Sequence, residues 1–387
     1  MNTWVRIAPN WGNSLQIPTG NLDRLRKLVR ESGVDAIVAA SPENVPYIAG
    51  VLIGTQRFFR ERLAIVLWPS DRDPTFIVCD LERELARSGT WIADLRSYVE
   101  FQQSPIAALI EAIREKGLER GRIGIEYRYL LAPFWDELKQ GLPQATWVHA
   151  DALLKEMRVL KTPAEIALLE RCNRATEEAH LATYRGMAAG ETEKEVSDRL
   201  FLNILRSGAD EVAFCYLNAG ARTGMRHLRP GDYRLQAGDL VKCDAGGYYQ
   251  GYYSDVARTV ALGRPHPDQR DTYRKVHEVH RACLEAVRPG VAASEVYRVQ
   301  KEGFARFGLP FAVPHVGHGI GLEAHEIPLL APLTTREFEP NMVIAVETRH
   351  LIPNREGYHV EDILLVTERG ARILTAREGT DDLLVVD

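Results

Sequence analysis

The chain has 387 residues, of which 45% are hydrophobic and 26% charged, and a formal net charge of −5. That composition excludes a disordered or fibrous chain and leaves room for two or three globular domains. Lys and Arg are dispersed, so nucleic acid and anionic membrane surfaces are not expected partners, and no stretch approaches the roughly 20 apolar residues that cross a bilayer.

Residues 1–18 place Trp4 and Trp11 among polar neighbours and read as an irregular tail laid on the domain surface. They lack a basic segment followed by an apolar run, so no secretory signal is expected. Leu22, Leu25, Leu28 and Val29 have helical spacing, closed by Gly33. VDAIVAAS reads as a buried strand, PENVPYIAG as a turn with a short helix, and RLAIVLWP and PTFIVCD as further strands. SPIAALIEAIREKG and PFWDELKQGLP read as helices, RIGIEYRY and ATWVHAD as strands. Strands alternating with helices indicate an α/β domain. It has no GxGxxG or GxxxxGKS loop, so a nucleotide site is not supported.

Thr162-Pro163-Ala164-Glu165 supplies a helix cap, proline at the first helical position and a capping-box glutamate. A long amphipathic helix should run from there to about Gly186, and Thr192 with Glu195 should cap the next one. Beyond Gly208 the pattern becomes mainly β, with two helices, DQRDTYRKVHEVHRACLEAVRPG and ASEVYRVQKEGFARFG, between the strands. The expected organisation is an α/β domain over 1–158 and an α+β domain over 159–387, the latter with helices on one side of a curved, mostly antiparallel sheet. Cys79, Cys172, Cys215, Cys243 and Cys283 are widely spaced with no CxxC, the pattern of reduced buried thiols in a cytoplasmic protein.

Chemistry concentrates in the C-terminal half. Asp244 ends the apolar run DLVKCD, and Asp255 is expected in the returning strand GYYSD, after a turn at Gln250-Gly251 that makes the two a hairpin. Glu347 ends MVIAVE, and Glu361 lies inside HVEDILLV. Ionised acids in apolar β-runs are costly unless paired or bound to a metal. His318 stands between Gly317 and Gly319, which let the backbone and imidazole approach a ligand closely, and neutral imidazole is a common metal ligand.

DAGG at 244–247, YYSDVART at 252–259, GHGIGLEAHE at 317–326, VET at 346–348 and VEDILLVTE at 360–368 resemble the pita-bread metallohydrolases. That family includes Xaa-Pro dipeptidase (prolidase), aminopeptidase P, methionine aminopeptidase and creatinase. DAIVAASPENVPYIAG is similar to the creatinase and prolidase N-terminal domain. The resemblance implies a C-terminal pita-bread domain preceded by a smaller creatinase-type α/β domain. It implies two divalent ions, manganese first, with cobalt, zinc or iron also compatible, held by Asp244, Asp255, His318, Glu347 and Glu361. Asp255 and Glu361 would bridge the ions. A metal-bridged hydroxide would cleave the bond before proline, with Glu347 as proton carrier and His227 and His325 binding substrate and stabilising the oxyanion.

Three positions depart from the proline-specific relatives. Thr348-Arg349-His350 replaces the Pro-Gly that follows their glutamate, His359 replaces an arginine, and Ala257 replaces a threonine. Arg349 and His359 are therefore either candidate contacts to an anionic group of the substrate or an exchange of the relatives' structural ion pair, and His315, three residues before His318, is a further candidate substrate contact. The departures leave room for a creatinase-like hydrolase of a small non-peptide C–N bond, and a third reading is an inactive binding module. The substrate is expected to be a small peptide or small molecule. The resemblance also implies a homodimer, with Arg57-Phe58-Phe59-Arg60 as a contact to the partner.

Overall fold

Leu25 and Val29 are the buried residues of helix α1 (Leu22–Ser32), which Asn21 caps by accepting the Arg24 N–H and Gly33 ends in a left-handed conformation. The helical spacing of the leucines therefore becomes one buried stripe. This computed structural model describes residues 17–18, 20–375 and 381–386. The N-terminal tail with Trp4 and Trp11 lies outside them.

Residues cluster into two units, Met1–Met157 and Arg158–Asp387. In the first, β1 (Ala36–Ala39), β2 (Ile65–Pro69), β3 (Thr75–Cys79), β4 (Asp94–Tyr98), β5 (Arg122–Ile125) and β6 (Thr146–His149) form one sheet of order β4-β3-β2-β1-β5-β6. Pairing is antiparallel for β1–β2–β3 and parallel for β3–β4, β1–β5 and β5–β6. Helices α2 (Asn44–Ala49), α3 (Arg83–Gly89), α4 (Pro105–Glu115), α5 (Ala132–Gly141) and α6 (Asp151–Arg158) complete the α/β unit. Three of these elements, α3, β4 and α6, were not expected. The half-buried edge strand β4 reads DLRSY, with no alternation for periodicity to detect.

In the second unit both expected capping boxes are present. Thr162 and Glu165 start α7 (Pro163–Arg185), and Thr192 and Glu195 start α8 (Glu193–Arg206). Helices α9 (Pro267–Ala286) and α10 (Ala293–Arg306) follow. The expected single curved sheet is instead two sheets. The first orders β10 (Tyr252–Tyr253), β9 (Leu240–Tyr249), β11 (Val256–Leu262) and β17 (Leu384–Val386), with β7 (Glu211–Cys215) and β8 (Asn218–Ala219) also pairing with β9. The second orders β13 (Glu326–Leu329), β12 (Gly317–Gly319), β14 (Val343–Ile352), β15 (Glu356–Thr367) and β16 (Gly370–Ile373). Between β11 and β15 no ladder forms. The Thr259 hydroxyl joins them instead, accepting from the His359 N–H at 2.9 Å and donating to the His359 carbonyl at 3.1 Å.

Side-chain alternation then decides what each face carries. Val241, Cys243, Ala245, Val260 and Leu262 belong to the apolar core under α7 and α8. Ile344, Val346, Leu364 and Val366 belong to the core under α9 and α10. Residues an odd number of positions from these along each strand must face the other way. On β9, β14 and β15 those residues include Asp244, Glu347 and Glu361.

Candidate metal centre

Each acidic side chain is aimed by a local device. Gln250 and Gly251 both have positive φ, 50° and 89°, as a two-residue hairpin turn requires, and Tyr249 pairs with Tyr252 across it. The returning strand breaks at Ser254 and Asp255, between β10 and β11, so Asp255 lies in a gap and not in the strand as expected. Helix α7 holds that gap open. Asn173 accepts the Asp255 N–H at 2.9 Å, and Thr176 meets the Ser254 hydroxyl at 2.7 Å. Asp244 stands opposite Ala257 across β9–β11, so the smaller residue there leaves space beside its carboxylate.

In the second sheet, Glu347 and Glu361 are directly opposite one another, and so are Arg349 and His359. Like charges facing across an antiparallel pair are destabilising unless something positive lies between them. His318 on β12 pairs with Ala345, which brings its ring to the same face. Its Nδ1 donates to the Gly319 carbonyl at 3.0 Å, which leaves the Nε2 lone pair free. That Nε2 lies 3.8 Å from Asp255 Oδ2 and 4.0 Å from Glu361 Oε1. An added Cβ on Gly317 would come 2.2 Å from the Ala345 carbonyl, so glycine there lets β12 approach β14.

The structure thus brings Asp244, Asp255, His318, Glu347 and Glu361 to one place. Donor atoms of Asp244, Asp255 and Glu361 all lie within 4.8 Å of one another, as do those of Asp255, His318 and His325, and those of Glu347, His359 and Glu361. His318 and Glu361 are each only 1% exposed. Burial, reinforced by the neighbouring carboxylates, pushes the carboxyls of Asp255 and Glu361 well above the usual range. Burial also raises Asp244, although His359 opposes it. Glu347 goes the other way: burial pushes its carboxyl up, but Arg349, His315 and His359 outweigh it and hold it well below the ordinary value. Burial and the adjacent His325 bring His318 down to about 3, so its imidazole is neutral, the form that ligates.

Whether these groups fit a cation can be read from their unused atoms. Asp244 Oδ1, Glu347 Oε1, Glu361 Oε1 and His359 Nε2 are buried and make no hydrogen bond among the described residues. Buried polar atoms without partners are rare, and oxygen and nitrogen donors converging in this way suit a divalent ion.

The residue pattern of metallopeptidase family M24 matches positions 167–368, and that of the creatinase/prolidase N-terminal domain matches 21–160. The chain belongs to metallopeptidase family M24. As a member of that family it is a metal-dependent hydrolase with a pita-bread catalytic fold, and the family implies divalent metal ions. It is 28% identical over 365 residues to the Xaa-Pro dipeptidase of Pyrococcus horikoshii, covering 92% of this chain and 97% of that one. The solved structure of an Xaa-Pro dipeptidase from Bacillus anthracis superposes with a TM-score of 0.84 at 25% identity, over 95% of this chain and 99% of that one. An X-Pro aminopeptidase from Thermotoga maritima gives 0.82 at 25% identity, over 94% and 99%.

Around the acids of this family M24 site stand the other expected residues. The His325 ring stacks on His318 with centroids 3.8 Å apart, and His315 lies 5.6 Å from His325. His227 has φ 46° and its ring lies 5.1 Å from Tyr216. Arg349 Nη1 lies 3.0 Å from Glu347 Oε2, and its Nη2 donates to the His315 carbonyl. His359 stands apart from the expected substrate-binding set. It is 3% exposed, with Nε2 3.3 Å from Glu347 Oε2 and Nδ1 3.7 Å from Asp244 Oδ2.

Sequence reading missed Asn173, which fixes Asp255, and the polar groups behind the sheet. Arg258 bridges Glu177 and Asp362, while His280 reaches Asp362 and Thr348 at 3.0 Å each. The signal available was polar residues on apolar helix faces, such as Asn173 between Leu169, Cys172 and Thr176.

Proposed function

We propose that this protein is an Xaa-Pro peptidase that cleaves the bond before proline in small peptides, using two divalent ions, manganese by preference. Asp244, Asp255, His318, Glu347 and Glu361 would hold them. The observation that carries the reading is three buried acids and the half-buried Asp244 converging on a neutral imidazole with unused lone pairs, in a chain similar over nearly its whole length to Xaa-Pro dipeptidases. That likeness favours a peptidase over a small-molecule C–N hydrolase or an inert binding module.

Divalent ions in this donor set would polarise the scissile carbonyl and lower the pKa of a bound water toward about 7. Glu347, kept ionised by Arg349, accepts the water's proton and passes it to the leaving nitrogen. Burial lowers the pKa of both His227 and His325, so at neutral pH each can donate an N–H to the carbonyl oxygen as charge develops there. Arg349 and His315 lie on the same side and offer a contact to a substrate carboxylate. Protein stripped of metal and reloaded with manganese, cobalt or zinc should release proline from X-Pro dipeptides or the first residue from longer X-Pro peptides. The length of the preferred peptide separates dipeptidase from aminopeptidase, and no turnover across that panel with metal bound would sink the reading.

The protein acts as a cytoplasmic homodimer in this reading. Among the described residues no helix is long and apolar enough to cross a membrane. Phe58 and Phe59 are 70% and 55% exposed, which supports an apolar contact to a second copy. Light scattering on purified protein, compared with a Phe58→Ser, Phe59→Ser variant, tests the assembly.

A further inference from the structure

We propose that His359 is a sixth metal ligand, giving the centre a second imidazole beside that of His318. The inference rests on the metal-centre reading above and adds to it a second nitrogen donor, which widens the set of ions the centre suits to zinc, cobalt and iron beside manganese.

His359 precedes Glu361 by two positions on β15, so both side chains leave the same face, and Glu361 lies opposite Glu347 on β14. The backbone of His359 is clamped at both its N–H and its carbonyl by the Thr259 hydroxyl of β11, which fixes the strand carrying the ring against the sheet carrying Asp244. The ring cannot turn out to solvent, since the residue is buried.

Distances come next. His359 Nε2 lies 3.3 Å from Glu347 Oε2 and 3.9 Å from Glu361 Oε2. Ligand atoms about 2.1 Å from a shared ion lie roughly 3.0–3.4 Å apart as neighbours and about 4.2 Å apart across it. The observed separations fall in that range, and Glu347, His359 and Glu361 form one of the three donor clusters.

A bland alternative is that His359 only donates a hydrogen bond to Glu347. Orientation argues against it, because Nε2 is buried and aligned with no acceptor among the described residues. A nitrogen 3.3 Å and 3.9 Å from two carboxylates, and squarely aligned with neither, is well placed to offer its lone pair to an ion between them. Arg349 does not block this. It approaches Glu347 Oε2 while His315 Nδ1 lies 3.2 Å from Oε1, and each oxygen keeps a second lone pair.

X-ray absorption at the zinc or cobalt edge of the fully loaded protein counts imidazoles without reference to activity. The expected result is about one imidazole per ion, from His318 and His359 together, falling to about half in His359→Gln and equally in His318→Gln. Wild-type protein that binds metal with an imidazole count unchanged by His359→Gln would overturn the proposal and leave the metal centre standing. Protein that takes up no divalent ion would overturn both. If His359→Gln misfolds, a wild-type count of about half an imidazole per ion overturns the proposal, since it leaves room for only one histidine, and a count of about one that is unchanged in His325→Gln assigns the second imidazole to His359.

Discussion

Glu347 is flanked by three basic groups, Arg349 at 3.0 Å, His315 at 3.2 Å and His359 at 3.3 Å. Their combined attraction exceeds the penalty of burying its charge, which is why this carboxyl moves down while Asp255 and Glu361 move up. Replacing Arg349 by alanine removes the strongest of the three. The Glu347 carboxyl should then titrate at higher pH, and the acid limb of the pH profile of kcat/KM should move to higher pH. An unmoved limb would show that another group controls it. Asp255→Asn should cost more than about a hundredfold in activity, beyond what supporting residues usually cost, together with loss of bound metal by elemental analysis.

Strands β14 and β15 have two working faces. The front carries Glu347, Arg349, His359 and Glu361, and the back carries Thr348 and Asp362. Behind the sheet, Arg258 stands between Glu177 of α7 and Asp362, while His280 of α9 and Gln300 of α10 reach Thr348. The catalytic strand is therefore anchored to three helices through polar contacts that cannot slide by one residue without losing partners. Arg258→Met deprives two buried acids of their shared cation and should destabilise by about 3–5 kcal/mol. Calorimetry should show a melting point lower by roughly 10 °C. Gly317→Ala acts on the other side. Its Cβ would meet the Ala345 carbonyl, so β12 must shift and carry His318 away, and metal affinity should fall with little change in helix content by circular dichroism.

At the level of the whole molecule, the metal centre makes stability depend on pH and metal together. Without metal, Asp255 and Glu361 have folded-state pKa values well above their unfolded ones. The folded chain then holds protons that the unfolded chain releases above about pH 4, so stability falls as pH rises through that window. Chelated protein should melt higher near pH 5 than near pH 8. The gain on adding divalent ions should be larger at pH 8, where fewer protons compete for the carboxylates. A gain independent of pH would argue that the acids are already ionised in the metal-free fold.

Much of this was legible in the residues themselves. Four acids in apolar β-runs and a histidine between glycines pointed to a cation, because burying those charges otherwise costs too much. Two capping boxes and the Gln250-Gly251 turn fixed element boundaries through local backbone chemistry that needs no distant partner. Tertiary structure alone decided the division of the C-terminal strands into two sheets, the gap at Ser254-Asp255 held by Asn173, and the depth of His359. Each of these depends on contacts between residues about 80 or more positions apart. Periodicity records which face a side chain leaves, and it carries no information about what waits on the other side.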